Sequence, residues 1–116
     1  MHLALPVNAQ ALDNLIDAVT SAHSTVIMRH SSRDFDTQES HIDTVMAVPR
    51  IPGVSATRGT FQRADFEHAA YSAAVSLADE AMLGSFARGW LDGTIDADAA
   101  IPEAFAMAVA LIVFDN

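Results

Sequence analysis

Cysteine is missing from this chain of 116 residues, and so is lysine. Without cysteine there is no disulfide, no thiolate metal site and no thiol nucleophile. That inventory suits the cytoplasm of a bacterial host cell. Without lysine, six arginines face fifteen carboxylates, and the formal net charge is −9. A surface of that sign repels nucleic acid, whose binding depends on clustered Lys and Arg. Direct nucleic-acid binding is therefore not expected; a basic protein partner, or one that normally handles nucleic acid, is compatible with the charge. Long apolar runs are also missing. The longest, Ala104 to Phe114, falls well short of the ~20 residues a membrane span needs. The opening Met1-His2-Leu3-Ala4-Leu5-Pro6 has no basic region and too short an apolar one for a secretory leader.

What is present is apolar patterning: 51% of the residues are hydrophobic, enough for one compact domain over residues 1–116. The stretch Asp65 to Gly93 dominates it. Phe66, Ala70, Ala73, Leu77 and Ala81 recur at helical spacing, and so do Tyr71, Val75, Ala78, Met82, Phe86 and Trp90. Two interleaved series predict a central helix over 65–92, packed on several sides, with Ala73, Leu77 and Phe86 buried. Gly93 suits the position after its last turn.

The remaining elements follow in chain order. Asn8 can cap a first helix to Ala22, striped by Leu12, Leu15, Ile16 and Val19. Ser24 to Arg29 is short and β-branched, and reads as a strand. It needs a partner: Leu3–Leu5, a C-terminal strand or another subunit. A polar connector, His30 to Asp36, leads to a second helix over 37–48, with Ile42, Val45 and Met46 on its apolar side and Pro49 ending it. Pro49 to Arg63 is a long loop. Thr94 to Ala100 is an acidic linker, and Pro102 starts a final helix. Residues 107–114 of that helix would also suit a strand. The expected fold is mostly α, about four helices around 65–92 with one short strand or minimal sheet; α+β is the alternative. Ala104–Phe114 adds a second all-apolar helix. That surplus predicts a homodimer centred on Phe105, Met107, Leu111 and Phe114.

Chemistry-bearing motifs are scarce. There is no G-x-S-x-G elbow, no H-E-x-x-H helix and no phosphate-cradling G-x-x-x-x-G-K-[ST]. The densest polar cluster runs from Arg29 to His41, with Arg29, His30, Ser31 and Arg33 as candidate ligand contacts. Within it, Arg29-His30-Ser31-Ser32-Arg33-Asp34-Phe35-Asp36 resembles the R-R/H-S-x-R/K-x-F segment near the start of flavin nitroreductases. The resemblance covers eight residues and does not reach the later flavin-binding segments of that family. It implies Arg29, Ser31 and Arg33 as contacts to a flavin phosphate. The residues themselves read as a strand end, an Asx or Ser turn and a helix entry, and no cofactor or metal is expected. Arg50, Arg58 and Arg63 make the 49–63 loop locally basic, and pairing with the chain's own Asp92, Asp96 and Asp98, or exposure to solvent, is expected for them rather than a ligand.

The expected function is non-catalytic protein binding. A small acidic inhibitor or regulator is its sharper form; phage-encoded anti-CRISPR proteins are similar in size and charge, an analogy that no motif carries. The candidate acidic face is Asp79, Glu80, Asp92, Asp96, Asp98 and Glu103. The alternatives are a small enzyme or a phosphate- or flavin-binding protein using Arg29–His41, and a subunit of a larger assembly such as a virion.

Overall fold

The computed structural model describes residues 8–115. In chain order they form α1 (Ala9–His23), β1 (Ser24–Asp34), β2 (Glu39–Pro49), β3 (Thr60–Gln62), α2 (Arg63–Leu77), α3 (Gly84–Asp92) and α4 (Glu103–Phe114). The mostly α expectation is corrected to α+β, because the strands pair into an antiparallel sheet in the order β1-β2-β3. The Leu3–Leu5 arm lies outside the described residues.

α1 forms as its sequence predicts. The Asn8 side chain accepts from the Ala11 N–H at its start, and Leu12, Leu15, Ile16 and Val19 are all buried. Where the β-branched run begins, the Ser24 hydroxyl donates to the Thr20 carbonyl and the chain turns directly into β1.

The largest correction is the segment expected as a helix over 37–48, which is the strand β2. Ile42, Val45 and Met46 fit a helical spacing, but the segment is also rich in the β-branched residues that pack well on a pleated surface. Long-range pairing decides. Thr25 to Asp34 of β1 lie opposite Val48 to Glu39 of β2, so all but the last two residues of the expected connector His30–Asp36 form the second half of β1. Rows across the sheet alternate in side. Arg29, Val45 and Phe61 share the helix-facing side, while Met28, Met46 and Thr60 share the other. Register shifts fall between Val26 and Met28 and between His30 and Ser31. Such bulges raise the local twist.

The single helix expected over 65–92 is two helices. α2 opens with a capping box between Gln62 and Asp65 and stops at Leu77. The Ala78 carbonyl, which a continuing helix would have used, accepts instead from Arg88 Nη1 at 2.6 Å. The Gly84 N–H donates to Glu80 at 2.6 Å. A Cβ on Gly84 would lie 2.9 Å from the Ala78 carbonyl oxygen, so the break closes only around glycine. It turns α3 so that Phe86 and Trp90 meet Phe105 of α4, with ring centroids 5.3 and 5.4 Å apart. Of the expected core residues Ala73 is fully buried, whereas Leu77 and Phe86, beside the break, are only partly so. Gly93 ends α3 in the left-handed region, φ 73°, which favours glycine.

α4 is helical through Phe114. It packs on α2 and α1 and buries Phe105, Ala106, Val109, Ala110, Val113 and Phe114. Ala69, Ala70, Ala73 and Ala74 of α2 are equally buried, and such small side chains let helices approach closely. Phe114 meets Phe61 edge-on at 5.0 Å, joining the helices to the sheet. Among the described residues no helix is long and apolar enough to cross a membrane.

Candidate functional site

Asp13 sits in the first half of α1 and is 7% exposed. Its Oδ1 pairs with Arg63 Nη1 and accepts the Ile42 N–H. Arg63, at the start of α2, also donates to the carbonyls of Ile42 and Ala9. One guanidinium thus joins α1, β2 and α2. His41 lies beside it, with Nδ1 3.8 Å from Asp13 Oδ2 and Nε2 4.0 Å from Glu39 Oε2. The first distance exceeds hydrogen-bonding range, and Nδ1 is buried without a partner. Ser32 is the cross-strand neighbour of His41, which sets a hydroxyl-bearing residue opposite the imidazole-bearing one. Hydrolytic chemistry would need that hydroxyl in a dry, preorganised cleft. Ser32 is exposed on a projecting strand, and Arg63 already engages the carboxylate. The arrangement is that of a structural clasp.

The cluster singled out from sequence is separated by the pleat. Arg29 and His30, neighbours on β1, leave opposite sides of the sheet, and the register shifts between His30 and Ser31. Arg29 is committed to Asp17 and Thr20 of α1, and Arg33 donates to Gln38. The arginines of the 49–63 loop do pair within the chain, but not with Asp92, Asp96 and Asp98. Arg58 pairs with Asp65 at 2.9 Å, Arg63 with Asp13, and Arg50 donates to the Ser21 carbonyl. The reason is sequence-local: the loop runs straight into α2, whose first turn supplies Asp65. Asp79, Glu80, Asp92, Asp96, Asp98 and Glu103 are all exposed. No arginine pairs with any of them among the described residues. Those residues contain no group of three or more His, Asp or Glu placed to hold a metal.

Two surface features were not singled out from sequence. The first is on the outer side of the sheet, where Met28 and Val48 stay about half exposed, at 53% and 51%, and the bulged Ile27 reaches 63%. The second is Phe35, 80% exposed at the apex of the β1–β2 hairpin. Its turn is held by side-chain hydrogen bonds. Asp34 Oδ1 accepts the N–H of Asp36 at 2.9 Å, Gln38 Nε2 donates to the Phe35 carbonyl at 2.7 Å, and Arg33 holds Gln38. The first lies in the β-branched and apolar stretches Thr25–Met28 and Thr44–Val48, whose outer side is evident only once the two segments pair as one hairpin. No protein-family model, no curated protein and no solved structure matches this chain, so the likeness to flavin nitroreductases remains confined to its eight residues.

Proposed function

We propose that this protein is a non-catalytic protein-binding module that uses the outer side of its β1–β2 hairpin. The observation that carries the proposal is the apolar surface left at Ile27, Met28 and Val48. A contiguous exposed apolar patch on a protein surface marks an interaction site when it is large. The clasp between Asp13 and Arg63 supports this reading, since its hydrogen bonds join α1, β2 and α2 rather than line a cleft. The exposed carboxylates at Asp79, Glu80, Asp92, Asp96, Asp98 and Glu103 have a different task in the proposal: they steer a basic partner toward the protein and set the association rate. A partner that itself handles nucleic acid would carry such a basic face.

The test uses Met28→Thr/Val48→Thr, a double variant that keeps strand-forming residues while removing the aliphatic surface. Immobilised wild-type protein should retain a partner from its native cells that the double variant loses at unchanged thermal midpoint. Equal retention by both would remove the outer sheet face from the interface. Reversing Asp79, Asp92 and Asp98 to arginine should slow association with the purified partner at low salt and leave the dissociation rate nearly unchanged. A second copy of this chain is the other occupant the experiment can find. In the folded chain, Met107 and Leu111 of α4 keep some exposure, whereas Phe105 and Phe114 are fully buried.

A further inference from the structure

We infer that the hairpin apex is an anchor, and that Phe35 enters an apolar pocket with a basic rim on a partner protein. The inference rests on the protein-binding reading above but uses a different surface of the hairpin. Phe35 is the most exposed aromatic side chain described, at 80%. Most of β1 and the beginning of β2 are exposed as well, so the apex stands clear of the core. An unpaired aromatic ring in water is unfavourable to keep and is of no use to the fold. Inside a pocket it supplies large contact area with few rotatable bonds, which is why aromatic residues dominate interface hot spots.

The turn is built before binding. Asp34, Gln38 and Arg33 hold the chain on either side of Phe35, and Gln38 has a left-handed φ of 60°. An apex ordered in advance lowers the entropy lost on association. The charge around the ring specifies the partner. Between residues 33 and 39 one arginine stands against three carboxylates, Asp34, Asp36 and Glu39. None of the three is paired with an arginine among the described residues. Asp34 and Asp36 bracket the ring, so the pocket that accepts Phe35 must present Arg or Lys at its mouth. The same carboxylates disfavour the other occupants. A second copy of a chain with net charge −9 repels them, and so does an anionic lipid surface.

The experiment places benzoylphenylalanine at position 35 of the full chain, produced in its native cells and irradiated there. The expected result is a single crosslinked protein, with the adduct among apolar residues flanked by Arg or Lys. With that protein purified, Phe35→Ala should weaken binding by about thirty-fold or more. Asp36→Lys should weaken it most at low salt, and both variants should keep the wild-type thermal midpoint. A crosslink to a second copy, to lipid, or to nothing overturns the inference, as does unchanged affinity of Phe35→Ala. If Met28→Thr/Val48→Thr loses the partner while Phe35→Ala keeps it, the sheet face stands and the anchor falls. If wild-type protein retains nothing, the broader reading fails first.

Discussion

Arg63 and Asp13 show how a single pair of residues holds three elements in place. Their side chains are 20% and 10% exposed, so both charges are largely desolvated. Arg63→Ala would leave Asp13 buried with only the Ile42 N–H for compensation. Breaking a buried pair from one side typically costs 3–5 kcal/mol, and the residual exposure here favours the low end, about 3 kcal/mol in urea unfolding. Replacing both residues with apolar ones of similar size, Asp13→Leu with Arg63→Met, should cost far less, because no charge is then left unpaired. The interaction energy from the double-mutant cycle is the measurement that checks it. A cycle close to additive would mean that Arg63 acts through its carbonyl contacts at Ala9 and Ile42 instead. His41 is a bystander on this view, with Nδ1 buried beside Asp13 but out of hydrogen-bonding range.

Between elements, the break from α2 to α3 gives a substitution whose sign is diagnostic. Were 65–92 one continuous helix, Gly84→Ala would add stability, about 1 kcal/mol from helix propensity. In the folded chain the new Cβ would lie 2.9 Å from the Ala78 backbone oxygen, and a backbone atom cannot swing aside. Gly84→Ala should therefore destabilise, by about 1–3 kcal/mol as overpacking does, with the shift in urea midpoint as the readout. The same position shows what the sequence could disclose. α1 and the Gly93 terminus were legible because each is specified locally, by a cap and a period or by a required positive φ, whereas α4 was legible at its Pro102 start but left strand open over 107–114. The break was not, because it depends on Arg88 reaching back to Ala78 and on Phe86 and Trp90 finding Phe105 across sequence. Nor was β2, because Ile42, Val45 and Met46 satisfy two periods at once and only pairing with β1 chooses between them. The candidate site fared likewise. Arg29, His30, Ser31 and Arg33 drew notice as a dense polar run, but a strand sends neighbours to opposite sides. Phe35 drew notice only within an eight-residue likeness, since nothing about one aromatic residue in sequence says that it will be left in water.

At the scale of the molecule, charge governs folding and binding in opposite directions. The described fold spans 41 × 33 × 30 Å. At 10 mM salt the screening length is about 30 Å, so every carboxylate feels nearly every other; at 0.1 M it is about 10 Å and only neighbours interact. A chain of net charge −9 is self-repelling when compact, and unfolding relieves the repulsion. Added salt should then stabilise it, by about 1 kcal/mol between those two concentrations, comparable to a few surface ion pairs. The contact pair Arg63–Asp13 is largely buried and loses less to screening than the diffuse repulsion does. Urea midpoints measured across the salt series check this, and a falling midpoint would mean that the contact pairs outweigh the repulsion. Association with a basic partner must respond the other way, weakening over the same range as its steering is screened. Stability that rises with salt while affinity falls is the joint signature of an acidic surface kept for a partner. If both rise together, the binding is carried by the apolar outer face at Met28 and Val48, and the carboxylates serve solubility alone.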